Sequence, residues 1–471
     1  MRLIAQARAS GGFCFGRIPI HFSAFHQFAW QQVKGSGIEG QCRFCNKPAP
    51  LLAKPSFWCS AASVAALSSA IAEFWHNWFS RFIADVYFER VALVFPERLP
   101  AAGPVLYLGL HRNGAVDGFV YQRVLPNAVF MISTQLRKNF LARLFFHGIA
   151  VTRTKDDGDR SLNEAAMRQC IALLEQRGEL LVLPEGTSTL GPRHLPFKNG
   201  AVWLLLEYLA GGGPRPRVVP LGIHYESPTD FRGRVEVVVG NEISTDLPPE
   251  SSQLERLKMM KRRVQTALEE VGINVESAAR QEMIESMALA AALRTGRSYF
   301  KLLKTLETAV PSNLEHEWKS LEAALGASKA YLRHGLPLFP APPALFFALA
   351  GCFIIPVVCA AALLNLPPLL AGWWAGRTFP DGRNVISLWR ILAGIPCFLI
   401  WAALVVLAGA WLGKWLWPVA YLVVTWAGLK SYALFRQIAA FLALGPFQWT
   451  RRGAMASFLE NLLRSLPDET A

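Results

Sequence analysis

The sequence predicts an α/β domain, a mainly parallel sheet flanked by helices, followed by a helical region and C-terminal transmembrane helices. Three observations carry this. Short apolar runs alternate with segments of helical period between about residues 94 and 242, the pattern of strands joined by right-handed crossovers. A mainly helical pattern follows to about residue 335, and beyond it the windows 343–376 and 391–413 hold no charged residue. Each window is long enough for a helix of roughly 20 apolar residues, the length that crosses a bilayer core.

Residues 1–60 carry seven Lys and Arg against one acid and show no sustained period, which predicts a basic, poorly ordered leader without the apolar core of a signal peptide. Cys42 and Cys45, with Cys14 and Cys59, offer four thiols, but the second pair lacks metal-ligand spacing. In 61–88, Val64, Leu67, Ile71, Phe74, Trp75, Trp78, Phe79 and Phe82 recur at helical spacing. That aromatic face either packs on the core or lies in a headgroup layer.

The α/β domain is placed at 89–245. Strands are predicted at 105–110, 128–133, 148–152, 180–183, 217–224 and 234–239, and helices at 116–125, 136–147, 161–176 and 200–209. Residues 246–335 read as a helical connector, since Leu254, Leu257, Val264, Leu268 and Val271 share one face. Membrane segments are placed at 340–437. The first window spans once or breaks at Asn365-Leu366-Pro367-Pro368 into a re-entrant pair, and the next two form a hairpin around Lys414. Arg333, Arg377, Arg383, Arg390, Arg436, Arg451 and Arg452 flank these segments. Because cytoplasmic loops collect Lys and Arg, the expectation is an integral membrane protein with its α/β domain on the cytoplasmic face. Residues 438–471 read as a tail.

The composition bears on partners. A net charge of +14 suits a polyanion, but no basic helix, zinc-finger spacing or stacking platform points to nucleic acid. Basic flanks beside apolar windows, with fifteen Trp, suit a membrane surface instead. Of the eight cysteines, Cys352, Cys359 and Cys397 lie in the apolar windows and Cys170 in an amphipathic helix, where free Cys behaves as a small hydrophobe.

Four segments contain or follow the ends of predicted strands: His111-Arg112-Asn113-Gly114-Ala115-Val116-Asp117, Gly148-Ile149-Ala150-Val151-Thr152-Arg153, Pro184-Glu185-Gly186-Thr187-Ser188 and Val219-Pro220-Leu221-Gly222. In a parallel sheet such ends gather on one edge, where open α/β folds place their chemistry. A His and an Asp there suit general-base work, with Asp117 holding the far nitrogen of the His111 ring if the chain turns at Gly114. A first-turn carboxylate facing its own helix end is the alternative for Asp117.

In this order the four segments resemble the four blocks of the glycerolipid acyltransferase family, and Phe197-Lys198-Asn199-Gly200-Ala201 is similar to a segment that often follows the third. The likeness covers roughly residues 90–245. Five residues separate His111 from Asp117 where four are usual, which resembles the glycerol-3-phosphate and dihydroxyacetone-phosphate branch; Phe231-Arg232-Gly233-Arg234-Val235 resembles it too. Ser188 stands where many members carry Arg. The resemblance implies a membrane-bound O-acyltransferase with His111 and Asp117 as catalytic pair. Arg153, Glu185, Gly186, Thr187, Lys198 and Pro220 would be the substrate-binding residues, with Arg112 or Arg193 compensating for Ser188. It implies no metal or resident cofactor, an acyl-CoA or acyl-carrier protein as donor, and glycerol-3-phosphate as acceptor ahead of lysophosphatidic acid. A hydrolase is the second class, but no Gly-x-Ser-x-Gly elbow occurs. A lipid-binding module without turnover is the third.

Overall fold

The computed structural model describes residues 61–137, 140–152, 162–325, 344–443 and 445–467, so the leader and its four cysteines lie outside the described residues. The chain runs α1 (Ala61–Tyr87), β1 (Phe88–Val94), β2 (Val105–Gly109), α2 (Val116–Val124), β3 (Ala128–Ser133), α3 (Phe140–Phe145), β4 (Ile149–Val151), α4 (Leu162–Glu175), β5 (Glu179–Val182), α5 (Gly200–Ala210), β6 (Arg217–Tyr225) and β7 (Gly233–Val239). The seven strands form one sheet in the order β1-β7-β6-β2-β5-β3-β4. Strand β2 is buried along its whole length, as expected of a continuous apolar run covered on both faces. It pairs in parallel with β5 and β6, and β3 pairs in parallel with β5 and β4.

Two features depart from the predicted sheet. Strand β7 runs antiparallel to β6, because the few residues between them cannot hold a crossover helix and so make a hairpin. Strand β1, which the helical reading of 61–88 hides, pairs in parallel with β7 at the edge. Arg232, at φ 59°, locks that edge. Its N–H donates to Tyr87 O at 2.7 Å, and its buried guanidinium donates to the carbonyls of Asp85 and Phe88.

Helix α1 packs part of its aromatic face on the core. Phe79, Ile83 and Tyr87 are in the main core, while Phe74, Trp75 and Trp78 stay exposed.

The connector forms α6 (Gln253–Glu270), α7 (Ala278–Thr295), α8 (Tyr299–Thr308) and α9 (Ser312–Leu325). Helix α6 starts with a capping box between Ser252 and Glu255 and buries Met260, Val264 and Leu268 in the main core. Its far end is held by His224, whose Nε2 donates to Val271 O at 2.8 Å and whose ring faces Phe300.

Beyond lie α10 (Ala344–Leu364), α11 (Leu366–Thr378), α12 (Ile386–Trp411), α13 (Leu416–Ala443) and α14 (Gly445–Ser465). The stretch read as a tail is packed: Phe458, Leu459 and Leu462 of α14 join Met287 of α7, Leu303 of α8 and Trp318 of α9 in a second core. The spacing of these apolar residues supplies a helical face that the connector helices cover.

Helices α10 to α13 are apolar on their outer surfaces, with Phe353, Trp373, Trp374, Leu407, Trp411, Leu416 and Trp426 all exposed. The segment Arg383–Trp411 is long and apolar enough to cross a membrane, and Leu349–Leu364 with Leu366–Thr378 would make a second span if the pair, bent by 80°, counts as one. The bend falls at Asn365. Pro367 and Pro368 lack the N–H groups that would continue the ladder, and Asn365 Nδ2 bonds Ala361 O and Thr425 Oγ1, each at 2.9 Å. Tyr421 donates to Asn365 Oδ1 at 2.7 Å, and Trp401 Nε1 satisfies Leu364 O at 2.8 Å. A backbone break in an apolar setting holds only with such partners.

This helical module docks on the α/β domain at its strand ends. Ser387 Oγ donates to Pro228 O at 2.7 Å, Arg390 donates to Thr229 O, and Arg436 pairs with Asp230 at 3.4 Å. Gly114, at φ +56°, meets the module directly: a Cβ there would lie 2.9 Å from Asn384 O and 3.2 Å from Val385 Cγ1.

Two outcomes follow. Gly114→Ala adds a left-handed non-glycine residue, costing about 1 kcal/mol or more, together with a clash against Asn384; thermal melting should shift down by several degrees and activity should fall. Burial pulls the His224 imidazole down to about 3 from an ordinary 6.5. The native state thus binds fewer protons than the unfolded chain, so this contribution is present above pH 6.5 and is lost progressively toward pH 3. His224→Gln should flatten the fall in unfolding free energy over that window by up to about one proton, about 1.4 kcal/mol per pH unit. Denaturant titrations at stepped pH would measure it, and an unchanged slope would count against it.

Candidate active site

The site begins where β2 ends. Leu110 N still bonds Leu221 O of β6, and the chain then turns through Gly114 into the first turn of α2, with Asp117 N on Gly114 O. That turn brings the Asp117 carboxylate back over the residues before it. Asp117 is fully buried and accepts from four donors: His111 Nδ1 at 2.8 Å, Arg112 N at 2.6 Å, Asn113 N at 3.0 Å and Tyr225 Oη at 2.6 Å. Burial and the Asp117 charge raise the Tyr225 phenol well above its ordinary pKa, which keeps it a donor. An ionised carboxylate can only accept. The proton of the shared bond therefore belongs to His111 Nδ1, and Nε2 carries the free lone pair. Asp117 thus orders the loop ahead of its helix and also holds the imidazole, rather than facing the N–H groups of its own helix end.

Glu185 fixes the other side of His111. One carboxylate oxygen accepts from His111 N at 2.8 Å and the other from Leu195 N at 3.1 Å. The side chain is 1% exposed, and burial raises its pKa while the two backbone N–H groups pull it back. With Thr189 N donating to His111 O at 3.2 Å, the His111 backbone is held from both ends. Glu185 therefore places His111, a role the acceptor-binding expectation did not contain.

Gly186, at φ +67°, lets Lys198 pass over the loop: a Cβ there would lie 2.8 Å from Lys198 Nζ. Lys198 N bonds Pro184 O at 2.9 Å, so the segment resembling a follow-on to the third block does lie against that block. Thr187 and Ser188 are half-buried beside them. The structure thus gathers His111, Asp117, Glu185, Gly186, Thr187 and Lys198 around one edge.

Pro220 is set apart from them, buried within β6 opposite Leu108, with its ring toward Gly240. That is the shape-setting position its residue type suits. Arg153 lies outside the described residues. Thr152 before it is buried, and both its N–H and its carbonyl bond the Asn163 side chain, at 2.8 and 2.9 Å. The two arginines read as substitutes at the Ser188 position serve the protein's own carbonyls. Arg112 Nη2 donates to Gly191 O at 3.1 Å and Arg193 Nε to Val275 O at 3.2 Å. Beside the loop, burial and the nearby Arg112 charge bring His194 down to about 3, so it is neutral near pH 7.

Sequence reasoning missed Tyr225, Asn113 and Asn384. Tyr225 ends β6, one residue beyond the predicted strand, and had a local signal in that position. Asn113 Nδ2 holds Pro228 O at 2.8 Å, and Asn384 comes from the distant helical module.

Part of the chain is similar to known proteins. Residues 90–224 match the model of the Acyltransferase family. A solved structure similar to this one is the 1-acyl-sn-glycerophosphate (LPA) acyltransferase PlsC of Thermotoga maritima, at 18% identity and a TM-score of 0.31, covering 46% of this chain and 84% of that one. No curated protein matches the chain. The match reaches from β1 to His224 in β6 and includes His111, Asp117, Glu185 and Lys198. Residues 90–224 of the α/β part are thus similar to the Acyltransferase family.

Proposed function

We propose that this protein is a membrane-bound O-acyltransferase that moves a fatty acyl group from acyl-CoA or acyl-carrier protein to glycerol-3-phosphate or dihydroxyacetone phosphate, the entry step to phosphatidic acid. The observation that carries the reading is the His111–Asp117 pair, with Nδ1 on a buried carboxylate at 2.8 Å, inside the residues that match the family.

In the reaction, His111 Nε2 takes the proton of the acceptor hydroxyl as its oxygen attacks the thioester carbonyl carbon. The tetrahedral intermediate collapses with cleavage of the C–S bond, and the imidazolium returns the proton to the departing thiolate. Asp117 stabilises the imidazolium between these steps. General-base catalysis of this kind contributes roughly 10²–10⁴-fold. Lys198, at the Gly186 loop, supplies a cation for the acceptor's phosphate, and Arg153 supplies a planar fork for its oxygens. The exposed apolar helices α10 to α13 embed in the bilayer. Arg377, Arg383, Arg390 and Arg436 favour placing the catalytic domain on the cytoplasmic face.

The five-residue spacing between His111 and Asp117 supports glycerol-3-phosphate as first acceptor. Lysophosphatidic acid is the second reading, favoured by the position of α12. That helix starts beside the loops around His111, so an acceptor already in the bilayer could reach them along it.

His111→Ala should lower kcat by at least about 10²-fold with unchanged far-UV circular dichroism, and Asp117→Asn should also lower kcat strongly. A fully active His111→Ala enzyme would remove the base assignment. Purified protein given oleoyl-CoA with either acceptor should favour glycerol-3-phosphate; a strong preference for lysophosphatidic acid would reverse the acceptor choice.

A further inference from the structure

We infer that the helical module completes the acyltransferase cleft through Asn384, a positioning residue that holds the 185–189 loop in the form that receives the acceptor; the inference rests on the acyl-transfer reading above.

Asn384 touches both loops that carry the chemistry. Its Nδ2 donates to Ser188 Oγ at 2.6 Å and to Ser188 O at 3.2 Å. Its carbonyl closes on Gly114, between His111 and Asp117, where only a missing side chain gives it room. Ser188 is the position at which this sequence departs from the family resemblance, carrying a short hydroxyl in place of a guanidinium. Here that hydroxyl bonds Asn384. The loop that the resemblance assigns to the acceptor is therefore set by a side chain from outside the matched residues 90–224.

The rest of the docking separates positioning from general adhesion. Ser387, Arg390 and Arg436 hold the module to residues 228–232, and none of these bonds reaches the 185–189 loop. Removing the Asn384 amide should leave the module in place and let Ser188 shift. A loop error of this kind weakens acceptor binding and orientation without altering the His111–Asp117 bond.

The test uses the full chain in detergent micelles with sn-glycerol 3-phosphate and oleoyl-CoA. Asn384→Ala should raise the acceptor KM about tenfold, with kcat within about threefold, the oleoyl-CoA KM unchanged and the melting temperature within a few degrees of the parent. Ser188→Ala should move the acceptor KM the same way, and the double variant should be no worse than Asn384→Ala alone, because the two side chains act through one bond. An unchanged acceptor KM in Asn384→Ala, additive effects in the double variant, or a joint fall in kcat and melting temperature would each overturn the inference. His111→Ala assayed alongside separates the levels. If the parent transfers acyl groups and His111→Ala does not, a normal Asn384→Ala rejects only the positioning role; if the parent transfers to no acceptor, the acyl-transfer reading fails and this inference falls with it.

Discussion

The buried carboxylate of Asp117 is the constraint around which the α/β domain is arranged. A charge of this kind is tolerated in an interior only when hydrogen bonds replace water, and the donors that replace water come from two pieces of the fold. The loop after β2 supplies two N–H groups and the imidazole, and the end of β6 supplies Tyr225. Satisfying Asp117 therefore fixes the turn at Gly114, the register of β6 against β2 and the tautomer of His111 together. Glu185 repeats the principle one loop away: its two oxygens are spent on His111 N and Leu195 N, so the base is placed by two carboxylates of which only one touches its ring.

The helical module belongs to this arrangement and is no separate anchor. Residues around the start of α12 lie on the three loops at 111–118, 185–189 and 226–232, and the module's last helix α14 closes a second core with α7, α8 and α9. The chain thus leaves the α/β domain through the connector, builds the apolar helices, and returns to the connector. Mechanical continuity of this kind explains why residues 61–471 make one compact unit.

Much of the fold was legible because its signals are local. The runs at 105–110, 128–133, 148–152, 180–183, 217–224 and 234–239 are all strands, and their flanking Gly and Pro mark the turns. Strand β1 was hidden because the aromatic pattern of α1 runs into Phe88 without a break. The antiparallel direction of β7 carried no signal of its own, because alternation of elements says nothing about a short hairpin. At the site, the meeting of His111 with Asp117 could be read from their spacing and Gly114. The bonds of Glu185 to His111 N and of Asn384 to Ser188 could not, because they join residues far apart in sequence through backbone groups that carry no residue identity. The run of exposed apolar helices α10 to α13 was legible in composition, where missing charge is sufficient signal. The cap on the Asn365 break depended on Tyr421, Thr425 and Trp401 arriving from other helices.

Helix α12 has 26 residues, about 39 Å at the usual rise, against a hydrocarbon core of about 30 Å. A helix longer than the layer it crosses leans to fit. Because Ser387 and Arg390 fasten its base to the loops at 228 and 229, α12 cannot lean alone, and the sheet must lean with it. If α12 crosses a bilayer, as proposed above, the thickness of the surrounding lipid sets the angle at which the mouth of the cleft faces the leaflet, making bilayer composition a geometric variable of the site as well as its solvent.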